Sequence, residues 1–308
     1  MGQGLIPGVT YNARMDEQAG FEGGTLWVVA TPIGNLGDQS LRMQELLHQV
    51  PVIAAEDTRV TRRLLSARRS EPRWLSLNEH TEARALPVLI QLLQSGQDVA
   101  LVSDAGTPLV SDPGYRLVDA AHGAGIRVSP LPGPCAAIAA LSAAGLAADR
   151  FWFEGFLPSR RAARTARLRE LKDLPATLIV YVPARDLVDV LEDVSGVLGP
   201  TRPAALAREL TKLHETVCRK PVGELLEFCR SRPEQSKGEA VLLLGGSETP
   251  AVRINADALA DELAAALPPS RAAGILSRLS GLSRKQAWAV IEQRRQDGSK
   301  GETLTDES

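Results

Sequence analysis

The chain has 308 residues, of which 44% are hydrophobic and 23% charged, and its formal net charge is −2. A chain of this length and composition can bury more than one hydrophobic core, so we expect a globular protein with several domains. No apolar run reaches the roughly 18 residues that a membrane-spanning helix needs, and the three cysteines form no C-x-x-C pair. These features predict a cytoplasmic protein without a membrane partner, a disulfide framework or a metal site.

Residues 25–148 alternate between strand-like and helix-like segments. The predicted strands are Leu26–Ala30, Val52–Ala55, Trp74–Leu77, Val99–Val102 and Arg127–Leu131, and the predicted helices are Ser40–Gln49, Glu82–Gln94, Gly114–His122 and Cys135–Gly145. This alternation favours a mostly parallel sheet joined by right-handed crossovers. Residues 1–24 lack the apolar core of a signal peptide and are predicted to be a disordered leader.

The alternation starts again after Ala148 and predicts a second α/β domain over residues 149–248. Its predicted strands are Phe151–Phe156, Thr177–Val182, Ala204–Arg208 and Ala240–Leu244. Residues 249–308 are predicted to form a small helical module with an acidic tail, and its helices are Ala256–Leu267, Ser270–Leu279 and Ser283–Gln296. The short break between the last two helices is typical of a helix-turn-helix.

Three turns rich in glycine and proline directly follow predicted strands of the first domain. They cover residues 31–35 (TPIGN), 103–108 (SDAGTP) and 132–134 (PGP). Because the carboxyl ends of parallel strands meet at one edge of a sheet, we expect these turns to form one ligand site. The first turn has Pro32 where a Rossmann dinucleotide motif needs glycine, and no Walker A motif occurs. The turns instead favour a flat, partly apolar ligand, such as an adenosine-bearing cofactor, bound through main-chain groups.

Basic residues are concentrated in three segments, although the whole chain is slightly acidic. Residues 59–73 carry six arginines against one glutamate, and residues 160–172 and 271–300 have a similar positive excess. Attraction to a phosphate backbone depends on such local density, so the segments favour RNA or DNA as a partner. The alternative is that they are solvated helix faces.

Several longer strings resemble the ribosomal RNA small subunit methyltransferase I family, in the tetrapyrrole-methylase-like class. These strings cover residues 28–38, 55–59, 75–80, 102–114, 131–134, 207–212 and 237–239. The twelve-residue string SDAGTPLVSDPG within 102–114 is far more specific than a lone glycine motif. The resemblance extends over about residues 25–296.

The resemblance implies two α/β domains with S-adenosylmethionine in the cleft between them, and a homodimer. The implied substrate is a cytidine of small-subunit ribosomal RNA near the decoding centre, in free RNA or in an assembling 30S subunit, methylated on its ribose 2′-oxygen. Carried over by motif, the cofactor-binding residues are Pro32, Ile33, Gly34, Asp104, Ala105, Gly106, Thr107, Pro108, Gly133, Pro134, Cys135 and Ala136. Many relatives have a glutamate and a Pro-His-Arg sequence after the tyrosine that matches Tyr181. This chain has Val182-Pro-Ala-Arg185 there, so no role of that glutamate or histidine is carried over.

A ribose hydroxyl is a weak nucleophile and benefits from a base. The candidates at the predicted carboxyl edge are Glu56, Asp57, Glu79 and His80. We choose Asp57 first and Glu79 second. The alternative is that Asp57 caps the helix that begins near Thr58, and that Glu79 and His80 cap the helix after Thr81.

The predicted RNA-binding residues are Arg59, Arg62, Arg160, Arg161, Arg284 and Lys285. Two other functions stay open at this point. One is a methyltransferase of the same fold that acts on a tetrapyrrole or a protein side chain. The other is a non-catalytic RNA-binding protein.

Overall fold

The computed structural model of the chain describes residues 23–65, 71–78, 80–247 and 256–302. Most of the predicted leader and the acidic tail therefore lie outside the described residues. The chain divides into two compact units, residues 1–248 and 249–308. Within the described ranges, no helix has the length and apolarity that crossing a membrane requires.

A five-stranded parallel sheet forms the first half of the larger unit, in the order β3-β2-β4-β1-β5. The strands are β1 Thr25–Val29, β2 Val52–Ala55, β3 Arg73–Ser76, β4 Val99–Val102 and β5 Arg127–Leu131. The helices of this half are α1 Leu41–Gln49, α2 Thr58–Arg62, α3 Glu82–Gln94, α4 Tyr115–Gly123 and α5 Ala136–Ala143. In β4, Val99 and Leu101 enter one core while Ala100 and Val102 enter the other. Helices cover both faces, which explains why the central strands are apolar throughout.

The second half of this unit is a mixed sheet in the order β6-β7-β10-β8-β9. Its strands are β6 Phe151–Phe156, β7 Thr177–Pro183, β8 Pro203–Arg208, β9 Thr216–Pro221 and β10 Glu239–Leu244. Strands β6 and β7 are parallel, and the remaining pairs are antiparallel. The sequence prediction omitted β9, an edge strand of half-buried and exposed residues that include Arg219 and Lys220. Such a strand lacks the apolar run by which its neighbours are recognised.

Helices cover this second sheet on both faces. Helices α6 Arg161–Leu171, α7 Leu187–Leu198 and α8 Val222–Arg230 pack on one face, against side chains such as Val180 and Leu242. The other face receives α5, whose Ala137, Ala140 and Leu141 contact a core that includes Ile179. Helix α5 precedes the predicted domain boundary at residue 148, yet it packs on the second sheet. This packing holds the turn before α5 close to both sheets.

The smaller unit consists of α9 Ala256–Ala266, α10 Pro269–Ser280 and α11 Arg284–Glu302. Its core is made of small and branched side chains, among them Ala272, Leu276 and Ile291. Gly281 ends α10 with a φ of 76°, a left-handed conformation that favours glycine. Ser283 and Gln286 then form a reciprocal capping box. Ser283 Oγ accepts a hydrogen bond from the main-chain N–H of Gln286 at 3.3 Å, and Gln286 Oε1 accepts one from the main-chain N–H of Ser283 at 3.0 Å. The predicted break between the last two helices is confirmed.

One buried ion cluster ties α6 to α7. Asp193 of α7 is buried, and its carboxylate accepts from Arg164 Nε and Arg161 Nε, each at 2.8 Å. Arg164 is also buried and donates to the Ser159 carbonyl at 3.1 Å. A buried cation that loses its partner is strongly destabilising, whereas an exposed one is rehydrated.

We therefore predict that Asp193→Ala lowers the free energy of unfolding by about 3–5 kcal/mol, because Arg164 is left buried and unpaired. Chemical denaturation followed by circular dichroism measures this loss. The matched variant is Arg161→Ala, which removes the exposed partner of the same carboxylate and should cost far less. Equal losses of unfolding free energy for the two variants would contradict the idea that the burial of Arg164 makes the loss of its partner costly.

Candidate functional site

The three predicted turns meet at the carboxyl edge of the first sheet. Thr31 and Gly106 exchange main-chain hydrogen bonds of 2.8 and 3.1 Å. Thr107 Oγ1 donates to the Pro134 carbonyl at 3.0 Å. These bonds join the first turn to the second and the second to the third, so the convergence predicted from the sequence is confirmed.

Two glycines allow the turns to approach this closely. Gly106 has a φ of +91°, and a Cβ at this position would lie 3.3 Å from Ile33 Cγ2. A Cβ on Gly133 would lie 2.9 Å from the Ala30 Cβ. Each glycine therefore stands where another strand end or turn leaves no room for a side chain.

A cavity of about 500 Å³ lies beside these turns and is bounded by both sheets of the larger unit. From the predicted cofactor set, the residues that line it are Ile33, Asp104, Ala105, Gly106, Thr107, Cys135 and Ala136. Pro32, Gly34, Pro108, Gly133 and Pro134 are not among its described lining residues, although they belong to the same turns. The second sheet supplies a wall that sequence reasoning missed, including Tyr181, Val182, Ala207, Leu210 and Val241.

Tyr181 belongs to that second wall. Its ring makes edge contacts with Phe153 and Phe156, at centroid distances of 5.1 and 5.6 Å. Burial raises the pKa of Tyr181 to about 12, so its hydroxyl stays protonated at neutral pH. The residue lies within β7, a mostly buried strand, and nothing in its local sequence distinguishes it from a core tyrosine.

Lys212 crosses from the second sheet to the first turn. Its Nζ pairs with Glu209 Oε1 at 2.9 Å and with Glu239 Oε2 at 3.0 Å. Its stem passes over Gly34, where an added Cβ would come within 2.6 Å of Lys212 Cγ. Glu209 and Thr211 hold positive φ angles of 50° and 68°, which cost energy for residues other than glycine. The segment before Lys212 is thus held in a specific and strained conformation beside the cavity.

A second, more polar cavity of about 750 Å³ adjoins the first. Its described lining includes Asp57, Arg59, Asn78 and His80. Both cavities are lined by Glu56, Asp104, Ser111 and Asp112, which therefore lie where the two meet.

Asp57 serves as the N-cap of α2. Its carboxylate accepts from the Arg59 amide at 2.8 Å and pairs with Arg59 Nη2 at 2.6 Å. The hydrogen bonds from the Arg59 side chain and amide lower the pKa of Asp57 to about 2. This geometry supports the capping interpretation, and a catalytic role for Asp57 stays a prediction. Glu79, the second candidate base, lies outside the described residues.

Comparison with known proteins identifies the family. The family model for Tetrapyrrole (Corrin/Porphyrin) Methylases matches residues 25–226. The chain is 47% identical over 273 residues to ribosomal RNA small subunit methyltransferase I of Escherichia coli O157:H7, which covers 88% of this chain and 96% of that protein. It is 46% identical over 275 residues to the protein of the same name from Pseudomonas aeruginosa, covering 88% and 98% of the two chains.

The chain belongs to the ribosomal RNA small subunit methyltransferase I family. Among solved structures, the methyltransferase CobJ matches with a TM-score of 0.55 and 21% identity, over 74% of this chain and 97% of its own. That likeness shows that this member of the family has the tetrapyrrole methylase fold.

The arginines predicted to bind RNA in this family member differ in their availability. Arg62 pairs with Glu71 at 2.7 Å and lies over the Trp74 ring, 4.6 Å from its centroid. Arg59 and Arg161 pair with Asp57 and Asp193, respectively. Three of the predicted RNA-binding residues are exposed and form no ion pair within the described ranges, namely Arg160, Arg284 and Lys285. Their role in RNA binding stays a prediction, as do those of the paired arginines. Among the residues that the structure describes, no three or more His, Cys, Asp or Glu side chains are grouped so that they could hold a metal ion.

The pairing of Asp57 with Arg59 can be tested in the free protein. The carboxyl carbon of Asp57 should titrate with a pKa of about 2. Arg59→Ala should raise this pKa, because it removes the cation and hydrogen bonds that favour the ionised form. Carbon-detected NMR of labelled protein measures the titration. Arg62→Ala, one turn further along α2, is the control and should leave the pKa of Asp57 unchanged.

Proposed function

We propose that this chain transfers the methyl group of S-adenosylmethionine to the ribose 2′-oxygen of a cytidine in small-subunit ribosomal RNA, near the decoding centre. The observation that carries the proposal is the likeness to relatives named ribosomal RNA small subunit methyltransferase I, which spans 96% and 98% of their length. A cytoplasmic location, a homodimeric state and an assembling 30S subunit as substrate belong to the same proposal.

The smaller cavity fits S-adenosylmethionine in size and chemistry. Its volume of about 500 Å³ suits a nucleoside cofactor, and its walls near Ile33, Ala136 and Val241 are apolar. The turn around Gly106 and Thr107 lines the cavity, and its place there is held by the hydrogen bonds that Gly106 exchanges with Thr31. Carboxylates at the end shared with the second cavity would attract a cationic sulfonium.

S-adenosylmethionine supplies a methyl group that is already activated for transfer. The contribution of the protein is then to hold the acceptor oxygen in line, to exclude water and to remove the hydroxyl proton. The open polar cavity beside the first one offers space for a ribose and its phosphates. Arg59 lies at this cavity and has the guanidinium geometry that suits phosphate oxygens.

Gly34→Ala should weaken S-adenosylmethionine binding by roughly tenfold, which corresponds to about 1.4 kcal/mol. The added methyl group would collide with the Lys212 stem, which must move beside the cofactor cavity. Isothermal titration calorimetry measures the dissociation constant. The matched control is Gly123→Ala, where a Cβ meets nothing within 4 Å and binding should be unchanged. Equal affinities for the wild type and Gly34→Ala would contradict the assigned cavity.

The activity is tested with methyl-labelled S-adenosylmethionine and 30S subunits from a strain that lacks the modification. We expect label on a single cytidine ribose, located by mapping nuclease-resistant 2′-O-methylated sites. Uroporphyrinogen and bulk protein are offered as competing acceptors in parallel reactions. Label on either one, with none on RNA, would favour a methyltransferase with another substrate. Binding of RNA without binding of S-adenosylmethionine would favour a non-catalytic protein.

A further inference from the structure

Asp112 occupies the junction between the two cavities. It lies in the loop between β4 and α4 and lines both the cavity assigned to the cofactor and the polar cavity beside it. A group that acts on the acceptor hydroxyl during methyl transfer must reach this junction, because the acceptor and the methyl group meet there. Asp112 is not among the candidate bases predicted from the sequence.

The loop that carries Asp112 is held from both sides. Gly114, two residues later, packs so tightly on the first sheet that an added Cβ would lie 2.9 Å from Leu101 Cδ2. On the other side, a Cβ on Gly155 of β6 would lie 3.0 Å from Ser111 Oγ. Leu109 and Ser111 have positive φ angles of 73° and 68°, which residues other than glycine adopt only where their surroundings impose them. The backbone around Asp112 is therefore positioned by both sheets.

The carboxylate of Asp112 forms none of the ion pairs found among the described residues, and its side-chain hydrogen bond is with the neutral Ser103. Burial raises the pKa of Asp112 to about 6, and the negative charge of Glu56 adds to the rise. Asp104, whose own pKa is raised by burial, contributes further negative charge. Asp57 differs sharply, since its pair with Arg59 lowers its pKa to about 2. A base is most effective when its pKa lies near the working pH, which favours Asp112 over Asp57.

The other charged and titratable groups around the junction come from both sheets. From the first sheet, the two cavities are lined by Glu56, Asp57, Arg59, His80, Asp104 and Cys135. From the second sheet, the lining groups are Tyr181, Arg185, Glu209, Lys212 and Glu239. The cations Arg59 and Lys212 are already paired with Asp57 and with Glu209 and Glu239. Arg185 Nε lies 3.8 Å from Asp186 Oδ1.

We propose that Asp112 is the general base that accepts the ribose 2′-hydroxyl proton during methyl transfer, an assignment that rests on the proposed function. The ribose oxygen forms a bond to the methyl carbon while the bond from that carbon to sulfur breaks and its electron pair stays on sulfur. The hydroxyl proton passes to the Asp112 carboxylate and then to solvent through the open polar cavity. Charge balances, because the positive charge of the sulfonium leaves as the released proton.

The test compares the wild type with Asp112→Asn in single-turnover methylation of 30S subunits. The amide keeps the size of the side chain but cannot take up the proton, so the rate should fall by about 10²- to 10⁴-fold. Calorimetry should show that the dissociation constant for S-adenosylmethionine rises far less than the rate falls, because Glu56 and Asp104 still line the junction. The matched control is Asp119→Asn, an exposed aspartate of α4 outside both cavities, and it should retain full activity.

The pH dependence gives an independent signature. Because the base acts in its ionised form, the wild-type rate should rise with pH through about 6 and level off above it. This rise in rate with pH, the acidic limb of the pH profile, should be absent from Asp112→Asn. In the free protein, carbon-detected NMR should show a carboxyl group that titrates near 6 and that disappears in the variant.

Three results would overturn the assignment while leaving the proposed function intact. The first is an Asp112→Asn enzyme that retains the wild-type rate and its acidic limb. The second is a loss of activity that is fully explained by weaker cofactor binding. The third is disappearance of the limb in Asp57→Asn or Glu79→Gln instead. If the wild type binds S-adenosylmethionine but methylates no ribose, the proposed function is refuted and the assignment with it.

Discussion

The pair of main-chain hydrogen bonds between Thr31 and Gly106 joins the ends of β1 and β4, and the candidate site depends on it. Strand β1 lies next to both β4 and β5 in the sheet, so the turns after these three strands are neighbours from the outset. The Thr31–Gly106 bonds and the Thr107–Pro134 bond convert this proximity into one continuous main-chain surface. Within the three turns, the charged side chain that lines the cavity is Asp104, and the other charged groups come from neighbouring segments.

Charge around the two cavities is distributed unevenly. The carboxylates of Glu56, Asp104 and Asp112 share the junction, whereas Arg59 and Lys212 are held in ion pairs beside it. Burial raises the pKa values of Asp104 and Asp112, and the negative charge of Asp57 adds to the rise for Asp104 as that of Glu56 does for Asp112. In the two proposals, the same arrangement attracts the cationic cofactor and accepts the proton. It accounts for both proposals with one set of side chains.

The second sheet completes the site rather than forming a separate body. Helix α5 packs against it, and Tyr181 and Lys212 reach from it to the cavity and to Gly34. Burial of small side chains, such as Ala140 and Ala205, lets the helix lie close to the strands. A substitution that enlarges one of these residues would therefore act on the cavity without touching it.

The sequence by itself determined where most strands and helices lie along the chain, the break before α11 and the convergence of the three turns. Periodicity and turn residues are local signals, so they predict strands, helices and turns directly. The convergence of the turns then follows because the carboxyl ends of parallel strands meet at one edge of the sheet. Edge strand β9 was missed because Arg219 and Lys220 interrupt its apolar pattern. The family resemblance assigns the cofactor to these turns, which stays a prediction, and it could not separate cavity-lining residues such as Ile33 from neighbours such as Pro32.

Only the tertiary structure decided which carboxylate lies at the junction without an ion pair and which one caps a helix. Asp57 and Asp112 are both aspartates in loops that follow buried strands, and their local sequences do not reveal a difference in pKa. That difference arises from contacts that folding creates, namely Arg59 against Asp57, and burial beside Glu56 for Asp112. Solvation and through-space charge depend on distance in three dimensions, which the linear order of residues does not contain.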